Sequence, residues 1–427
     1  MANQYSQSHS YSQSHSLSED LQQALAETSA NVRAGIEGGI DLVFAFSAGY
    51  SPEEFDRHLP QLRSLTGAKV VLGCTSETVV GGSYEMENAP ALSLWAARIP
   101  GAEILPMHLS YSRSSTDSAI VGWPEAADGD WPEDSSLIVL GEPFGFPVDV
   151  LLERFNEDRP GVRIAGGMAS GASMPGESRL LLGEETFDQG LVAIRISGTP
   201  VRMLVSQGCR PIGDPMVITK CERNIIQGLG GKKALDVVYE LFATLPTREQ
   251  RLFQHGLHLG RVINEYQDKF EFGDFLIRNV IGIDKDEHSI QIGDYVRPGQ
   301  TVQFHIRDAE SASVELEQLL KRAVDQRSFE AALLFSCNGR GTNMFPDPHH
   351  DVSKIQIANR LANTKKDTAD AAMIEAATGV LADHTIVETG SDVPELPLAG
   401  FFAAGEIGPV GNKSFLHGFT ASLVLFE

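Results

Sequence analysis

Short apolar runs alternate with amphipathic segments along most of the chain. Residues 42–46 (LVFAF) form an uninterrupted apolar run, which is typical of a β-strand buried on both faces. A helix is predicted directly afterwards, because residues 51–54 (SPEE) supply a capping serine, a proline at the first helical position and a glutamate that closes a capping box. A second strand is expected at residues 69–72. This order of elements predicts an α/β layer.

The same order of elements returns twice further along the chain. The second copy has a strand at residues 137–140, an amphipathic helix and another strand at 162–165. The third copy begins with a strand at 332–335 and continues through helical segments to the apolar run 398–406. Each copy then has a Gly-rich turn and a returning apolar strand, at residues 91–98, 190–196 and 419–426. The repeats predict hairpins and therefore mixed sheets.

These patterns predict an α/β fold of two domains, with mixed β-sheets, flanking helices and internally repeated strand–helix–strand–hairpin units. A chain of 427 residues is too long for one ordinary core. Between the second and third copies lies a different block, with strands near residues 257–263, 275–281 and 301–306. Two prolines and a glycine near residues 211–224 mark the boundary. We expect a disordered tail at 1–18, where YSQSHS occurs twice, and domains at 19–215 and 216–427.

The charge of the chain disfavours two classes of partner. Lys plus Arg number 34 and Asp plus Glu number 57, so the net charge is -23, which repels nucleic acid and anionic membrane surfaces. The four cysteines are scattered, without a C-x-x-C pair that would indicate a zinc site or a redox motif. No run of apolar residues is long enough for a spanning helix, and the first residues lack a secretion signal. We therefore expect a cytoplasmic protein, with its oligomeric state open.

Three segments resemble known catalytic or metal motifs, and none of them fits its motif. Residues 228–232 (GLGGK) are close to a phosphate-binding loop, but the residue after the lysine is a second lysine. Residues 49–53 (GYSPE) start like a nucleophile elbow, but Glu53 stands where glycine is needed. Residues 347–351 (DPHHD) are better explained as a polar loop and helix cap than as a metal site. No catalytic residue, metal or cofactor is predicted.

The loops that follow predicted strands are the candidate ligand site, since ligands of open α/β sheets bind beyond the carboxyl ends of the strands. Arg340, between two glycines, is suited to a bidentate bond with a carboxylate. Glu77 or Glu406 is suited to accept a ligand ammonium group, so an amino acid or similar zwitterion is the expected ligand. The predicted site residues are Cys74, Thr75, Ser76, Glu77, Cys337, Asn338, Gly339, Arg340, Glu406 and His417.

Three alternatives stay open at this point. The glycines can serve tight turns while Arg340 and Glu406 pair with each other. Cys74 or Cys337 can be a nucleophile, activated by a helix terminus or by His417. The loops can also hold another protein, which would make the chain an interaction scaffold.

Four segments carry a resemblance to the FIST family. They are residues 71–77 (VLGCTSE), 334–341 (LFSCNGRG), 397–411 (PLAGFFAAGEIGPVG) and 415–420 (FLHGFT). The chain resembles this family over nearly its whole length after the tail, with an N-terminal and a C-terminal FIST domain in succession. The resemblance implies a sensory module that binds small ligands, including amino acids, and has no catalytic residue that can be transferred. Because no fused output domain is expected here, the resemblance also implies a separate signalling partner.

Overall fold

A computed structural model describes residues 8–113, 118–267, 269–270, 273–378 and 394–427, with the backbone alone for 365–378. The chain forms two compact units. The first comprises Met1–Leu204, Glu317–Leu416 and Ser422–Glu427, and the second comprises Val205–Leu316 and His417–Ala421. The predicted fold class is confirmed: the protein is α/β, with mixed sheets and flanking helices. The spatial division differs from the consecutive one expected from the sequence, because the second unit is inserted within the third repeat.

The helices and strands follow the repeats. The first repeat contains β1 (Ser10–Ser16), α1 (Leu21–Ala34), β2 (Leu42–Ala48), α2 (Pro52–His58), α3 (Leu62–Thr66), β3 (Val70–Ser76), β4 (Val79–Gly81), β5 (Tyr84–Met86) and β6 (Ala91–Arg98). The second contains β7 (Glu103–Arg113), β8 (Ser118–Val121), β9 (Ser136–Gly141), α4 (Val148–Asp158), β10 (Arg163–Met168), β11 (Leu180–Leu182), β12 (Glu185–Phe187) and β13 (Leu191–Ser197).

The third repeat begins with β14 (Val201–Gln207) and is interrupted by the second unit. That unit contains β15 (Cys209–Glu222), β16 (Ile225–Leu229), β17 (Lys232–Lys233), α5 (Ala234–Thr244), α6 (Thr247–His255), β18 (Leu257–Val262), β19 (Phe275–Asp284), β20 (Ser289–Ile292) and β21 (Thr301–Arg307). The repeat continues with α7 (Ala309–Gln326), β22 (Ala331–Cys337), α8 (His350–Thr378), β23 (Leu398–Ala403), β24 (Gly405–Val410), β25 (Lys413–His417) and β26 (Thr420–Phe426). Short 3₁₀ turns lie at Leu59–Gln61, Glu125–Ala127 and Gly341–Asn343.

Strand pairing confirms the predicted internal repeats. The parallel pairs are β2 with β3, β9 with β10, and β22 with β23. The returning strands β6, β13 and β26 lie beside the first strand of their own repeat. The three sheets have the orders β1-β6-β2-β3-β11-β12, β25-β24-β10-β9-β13-β7-β8 and β14-β26-β22-β23-β4-β5. Each sheet is therefore mixed, because it contains one parallel pair of strands together with antiparallel neighbours.

The hairpins are exchanged cyclically among the three repeats. The first repeat's hairpin, β4–β5, pairs with β23 of the third repeat. The second repeat's hairpin, β11–β12, pairs with β3 of the first, and β24–β25 of the third extends the second repeat's sheet at β10. No repeat completes its sheet alone, so the three repeats form one interdependent structure.

Side-chain alternation along β2 shows how the first unit is layered. Phe44 and Phe46 point into a central core that also takes Phe335 and Phe401 of the third repeat and Leu140 of the second. The Phe46 and Phe401 rings have centroids 5.2 Å apart. Intervening positions of β2 face the opposite way, under the helices of the first repeat. The shared core holds the carboxyl ends of the parallel strands of the three repeats in fixed positions.

The predicted disordered tail is wrong for residues 10–16, which form β1 and pair antiparallel with β6. Tyr11 packs against Trp95 and Phe426, with ring centroids 5.6 and 5.8 Å apart. The serines of the repeat lie on the opposite face, where Ser14 accepts a hydrogen bond from Asn31 of α1 at 3.1 Å. The period-two alternation of serine with larger residues is a strand signal. Low-complexity composition therefore does not exclude a strand here.

The second unit is built on a seven-stranded antiparallel sheet in the order β15-β21-β18-β19-β20-β16-β17, with a further pairing between β15 and β16. Its core contains Ile218, Ile226, Leu259 and Phe304. The three strands predicted in this block are confirmed as β18, β19 and β21. Among all the described residues, no helix has an apolar stretch long enough to cross a bilayer.

Candidate functional site

Loops from the three repeats meet at one cleft in the first unit. The lining residues all follow the carboxyl end of a parallel strand: Glu77 after β3, Pro143 and Phe144 after β9, residues 169–173 after β10, Asn338 after β22 and Ala404 after β23. The cavity has a volume of about 460 Å³, which is the size range of small-molecule sites. We call it the central cleft.

Ser170 joins the three repeats at this cleft. Its hydroxyl donates a hydrogen bond to the carbonyl of Phe402 in the third repeat. The same oxygen accepts a hydrogen bond of 2.9 Å from the backbone N–H of Glu77 in the first repeat. Gly171 follows with φ +81°, and a Cβ there would lie 2.8 Å from the carbonyl oxygen of Ser76. A glycine is therefore needed for the loop to pass this close to the end of β3.

Asn338 lines the cleft and carries a buried hydrogen-bond acceptor. Its backbone N–H donates to the carbonyl of Ala403 at 3.2 Å, and its own carbonyl accepts from Asn343 Nδ2 at 3.1 Å. These bonds fix the residue. The side-chain Oδ1 is buried and has no hydrogen-bond partner in the described part of the chain. A buried acceptor without a partner is costly, and a donor on a ligand would satisfy it.

The charge in the cleft favours a cationic group. Among its lining residues, only Glu77 has an ionisable side chain, and that side chain is exposed. The Glu77 carboxylate and Asn338 Oδ1 are both hydrogen-bond acceptors. The central cleft is thus suited to a small molecule that carries an ammonium group or several N–H donors.

Thr75 and Ser76, two predicted site residues, have structural roles beside the cleft. The Thr75 hydroxyl accepts a 2.9 Å hydrogen bond from the backbone N–H of Arg179, and the Ser76 hydroxyl donates to the carbonyl of Ser47 at 3.2 Å. Cys74 is fully buried in the central core. Burial raises the pKa of its thiol well above the ordinary value. Cys74 therefore does not face the cleft, and its thiolate is strongly disfavoured.

Arg340 does not reach the cleft, which corrects the predicted carboxylate clamp. Its side chain is 0% exposed. Its Nε and Nη2 donate to the two carboxylate oxygens of Asp351 at 2.7 and 2.8 Å. The guanidinium thus forms an ion pair with a residue of α8 that lies eleven positions later in the chain. It presents no surface to a ligand in the central cleft.

The carboxylate of Asp351 is part of a buried polar group at the start of α8. The positive charge of Arg340 holds the pKa of Asp351 well below its usual range, against the opposing effect of burial. Glu85 of β5 accepts hydrogen bonds from the backbone N–H groups of Asp351 and Val352 at 3.0 and 3.2 Å. Burial and the nearby Asp351 carboxylate raise the pKa of Glu85 to about 8. The segment 347–351 is thus a loop and helix start, as predicted.

The remaining predicted residues do not belong to the lining of the central cleft. Cys337 is half-buried at the end of β22, where its sulfur accepts a hydrogen bond from the Gly339 N–H at 3.5 Å. Glu406 is fully buried in β24 and lies opposite Gly167 of β10. His417 is buried and belongs to the second compact unit. Of the ten predicted residues, Glu77 and Asn338 line the central cleft.

Sequence reasoning did not select the lining residues of the second repeat. Residues 166–171 (GGMASG) follow a strand in the same way as the loops around Cys74 and Cys337, so the signal was present. None of these residues is among the ten predicted site residues. Phe144, which is 44% exposed at the cleft, had no signal in the sequence.

The fold and the cleft define a three-repeat α/β protein with a small-molecule-sized site at the strand ends. Comparison with known families gives the particular group: the FIST N domain matches residues 41–232 and the FIST C domain matches residues 234–365. The chain belongs to the FIST family, and FIST domains are linked to sensing and signal transduction.

Similar proteins occur in mycobacteria. The uncharacterized protein Rv0628c of Mycobacterium tuberculosis is 36% identical over 358 residues, which is 83% of this chain and 83% of that protein. The uncharacterized protein Mb0898c of Mycobacterium bovis is 35% identical over 358 residues, covering 83% of this chain and 82% of its own.

Proposed function

We propose that this protein is a cytoplasmic sensor that binds a small ligand with an ammonium group, such as an amino acid, in the central cleft. The observation that carries the proposal is the convergence of strand-end loops from three repeats on one cavity. The cytoplasmic location rests on the sequence alone. The proposal makes binding, and not catalysis, the role of the site.

The ligand class follows from the acceptors in the cleft. Glu77 supplies a carboxylate and Asn338 an unsatisfied amide oxygen. A ligand ammonium group has three N–H donors and can bond to both. With Arg340 buried against Asp351, a ligand carboxylate would have to bond to backbone N–H groups of the loops instead of a guanidinium.

The signal is proposed to pass through Ser170. This residue bonds to the first repeat at Glu77 and to the third at Phe402, so a ligand that pulls on any one loop acts on the other two. Contacts made only in the bound state would shift the population of the loops toward one arrangement. A separate signalling protein would recognise that arrangement.

Thermal unfolding of the purified protein with a panel of amino acids, amines, organic acids and nucleotides tests this proposal. A ligand at about 100 times its dissociation constant stabilises the folded state by about 2.7 kcal/mol. We expect a shift with one or more ammonium-bearing compounds, reduced in Glu77→Gln and kept in Glu184→Gln, an exposed glutamate outside the cleft. If no compound raises the unfolding temperature, or if only anions raise it, the proposed ligand class is contradicted.

A second candidate function, an interaction scaffold, is favoured by the apolar side chains near the cleft. Phe144 lines the cleft, and Met174, in the loop after β10, is 59% exposed. Exposed apolar groups of this kind occur at protein interfaces. A protein partner that is retained in pull-downs regardless of ligand, and lost in Phe144→Ser, would support the scaffold over the sensor.

A further inference from the structure

In the part of the second repeat that the structure describes, there is no counterpart of the first helix of the other two repeats. In the first repeat, α1 packs against β1, β6 and α2. In the third, α7 is tied to β14 by Arg202, which donates to the carbonyl of Ala323 at 2.8 Å, and to α8 by the ion pair of Lys354 with Glu317. The described residues between β7 and β9 contain no α-helix, only β8 and the short turn Glu125–Ala127. The outer face beside α4 is therefore covered differently.

A second cavity lies in this place. It has a volume of about 710 Å³ and lies between β7, β8, the loop 122–135 and α4, within the size range of ligand pockets. Four aromatic side chains form its walls: Tyr111, Trp123, Trp131 and Phe155. We call it the aromatic cleft. It does not overlap the lining of the central cleft, and the inference below is independent of the proposed function.

The aromatic walls are held in fixed positions. The centroid of the Phe155 ring lies 5.6 Å from those of Trp123 and Trp131. Both indole N–H groups are already bonded, Trp123 Nε1 to the carbonyl of Ile120 at 3.2 Å and Trp131 Nε1 to that of Ala127 at 2.9 Å. The polar edges of the indoles are satisfied by the protein, so a ligand would meet ring faces and not N–H donors.

Two cations already contact the Trp131 ring of this surface: Arg159, which is the nearer, and Arg195, whose guanidinium carbon lies 5.4 Å from the ring centroid. The guanidinium carbon of Arg159 lies 4.3 Å from the centroid of the Trp131 ring, which is a cation–π contact. Arg159 is also fixed by hydrogen bonds to the carbonyls of Gly129 and Ala127, at 2.9 and 3.2 Å. The Arg159 guanidinium therefore bonds to groups of the protein itself. It shows that the aromatic wall accepts a positive charge.

The remaining charged groups of the cleft are mostly acidic. Asp128, Asp130 and Asp158 line the cavity and are exposed, and none has an ion pair or hydrogen bond to its carboxylate among the described residues. Arg154 is the one lining guanidinium left besides Arg159. The lining thus has three carboxylates and two guanidinium groups, which in a protein of net charge -23 give a field that attracts cations and repels anions.

We propose that the aromatic cleft binds an organic cation, a molecule with an aromatic or aliphatic body and an ammonium head. The body would lie against Trp123 and Phe155, and the head would lie near the carboxylates of Asp128, Asp130 and Asp158. Burial of the apolar body supplies most of the affinity, and the charge selects the head group.

Intrinsic fluorescence of the full-length protein tests the proposal. The chain has three tryptophans, two of which line the cleft, while Trp95 is fully buried in the central core. We would titrate three compounds that share a phenyl body: phenethylamine, 2-phenylethanol and 3-phenylpropanoate. We expect a saturable change with phenethylamine, at an affinity about 2- to 30-fold tighter than that of the alcohol. The carboxylate should bind more weakly than either.

A triple variant, Asp128→Asn, Asp130→Asn and Asp158→Asn, should abolish the preference for the amine over the alcohol while it keeps binding of the phenyl body. Asp347→Asn, an exposed aspartate outside the cleft, is the matched control and should keep the preference. Three results would overturn the proposal: no saturable change with phenethylamine, tighter binding of phenylpropanoate, or an unchanged amine preference in the triple variant.

Discussion

Arg340 and Asp351 form a fully buried, two-bonded ion pair, with Nε and Nη2 of the arginine 2.7 and 2.8 Å from the two carboxylate oxygens. The loop after β22 is thereby fixed to the first turn of α8. An arginine between two glycines would otherwise be a candidate for ligand binding. The pair makes it a structural residue that keeps Asn338 in place beside the central cleft.

Removal of one partner should therefore affect stability and not ligand recognition. Asp351→Asn leaves the buried guanidinium without its charge partner, and the expected loss in the free energy of unfolding is about 3 to 5 kcal/mol. Denaturant unfolding measures this loss. Arg63→Ala, which breaks an exposed pair with Glu184 at 3.9 Å, is the control and should cost less than about 1 kcal/mol. Equal effects of the two variants would refute the structural role of the buried pair.

Glu85 should make stability depend on pH near neutrality. Its pKa is raised from the ordinary 4.5 to about 8 in the folded state by burial and by Asp351. Between these two values the folded protein binds more protons than the unfolded chain, so the free energy of unfolding should fall as pH rises from about 5 to about 8. Below this window the contribution is fully present.

The variant Glu85→Gln should weaken this dependence, because glutamine resembles the protonated carboxyl and keeps an acceptor for the Asp351 N–H. Denaturant unfolding at several pH values measures the slope. Glu184→Gln, which alters an exposed glutamate, is expected to retain it. A slope that is identical in wild type and Glu85→Gln would show that another group is responsible.

The first strand should contribute to the fold although its sequence looks like a polar tail. Tyr11→Ala removes a ring that packs on Trp95 and Phe426, and the expected cost is about 1.5 to 3 kcal/mol, less than for a fully buried aromatic residue. Thermal or denaturant unfolding measures it. A neutral effect would indicate that β1 is detached in solution, in which case Tyr11→Ala and Ser8→Ala would behave alike.

Thiol labelling should separate the four cysteines by burial. Cys74 and Cys209 are buried, whereas Cys221 and Cys337 are partly exposed. Alkylation at neutral pH, followed by mass spectrometry, should modify Cys74 and Cys209 last, since burial raises the pKa of the Cys74 thiol. Early labelling of Cys74 in the native protein would restore the hypothesis of a cysteine-dependent enzyme.

Local signals in the sequence predicted much of the fold. The capping box at the start of α2 is confirmed, with Ser51 accepting from the Glu54 N–H at 3.2 Å and Glu54 accepting in return from the Ser51 N–H at 2.9 Å. Apolar runs located the parallel strands because such strands are buried on both faces. These features depend on neighbours within a few residues, which a single sequence displays directly.

Long-range relationships were not accessible in the same way. The cyclic exchange of hairpins depends on which sheet edge each hairpin meets. The residues of β4 and β5 indicate a hairpin, but they do not indicate that it pairs with β23. The ion pair between Arg340 and Asp351 likewise depends on the direction of α8. Two residues selected because they follow strand ends, Glu77 and Asn338, line the central cleft. The sequence could not indicate which neighbouring side chains turn inward.

The most direct test of the central claim is calorimetric titration of the wild type and two cleft variants with each proteinogenic amino acid. If loops of different repeats form one site, Glu77→Gln and Asn338→Ala should weaken the same ligand, by about 1.5 to 3 kcal/mol for the charged contact and about 0.5 to 1.5 kcal/mol for the amide. Unchanged affinity in both folded variants, or no binding by the wild type, would contradict the account.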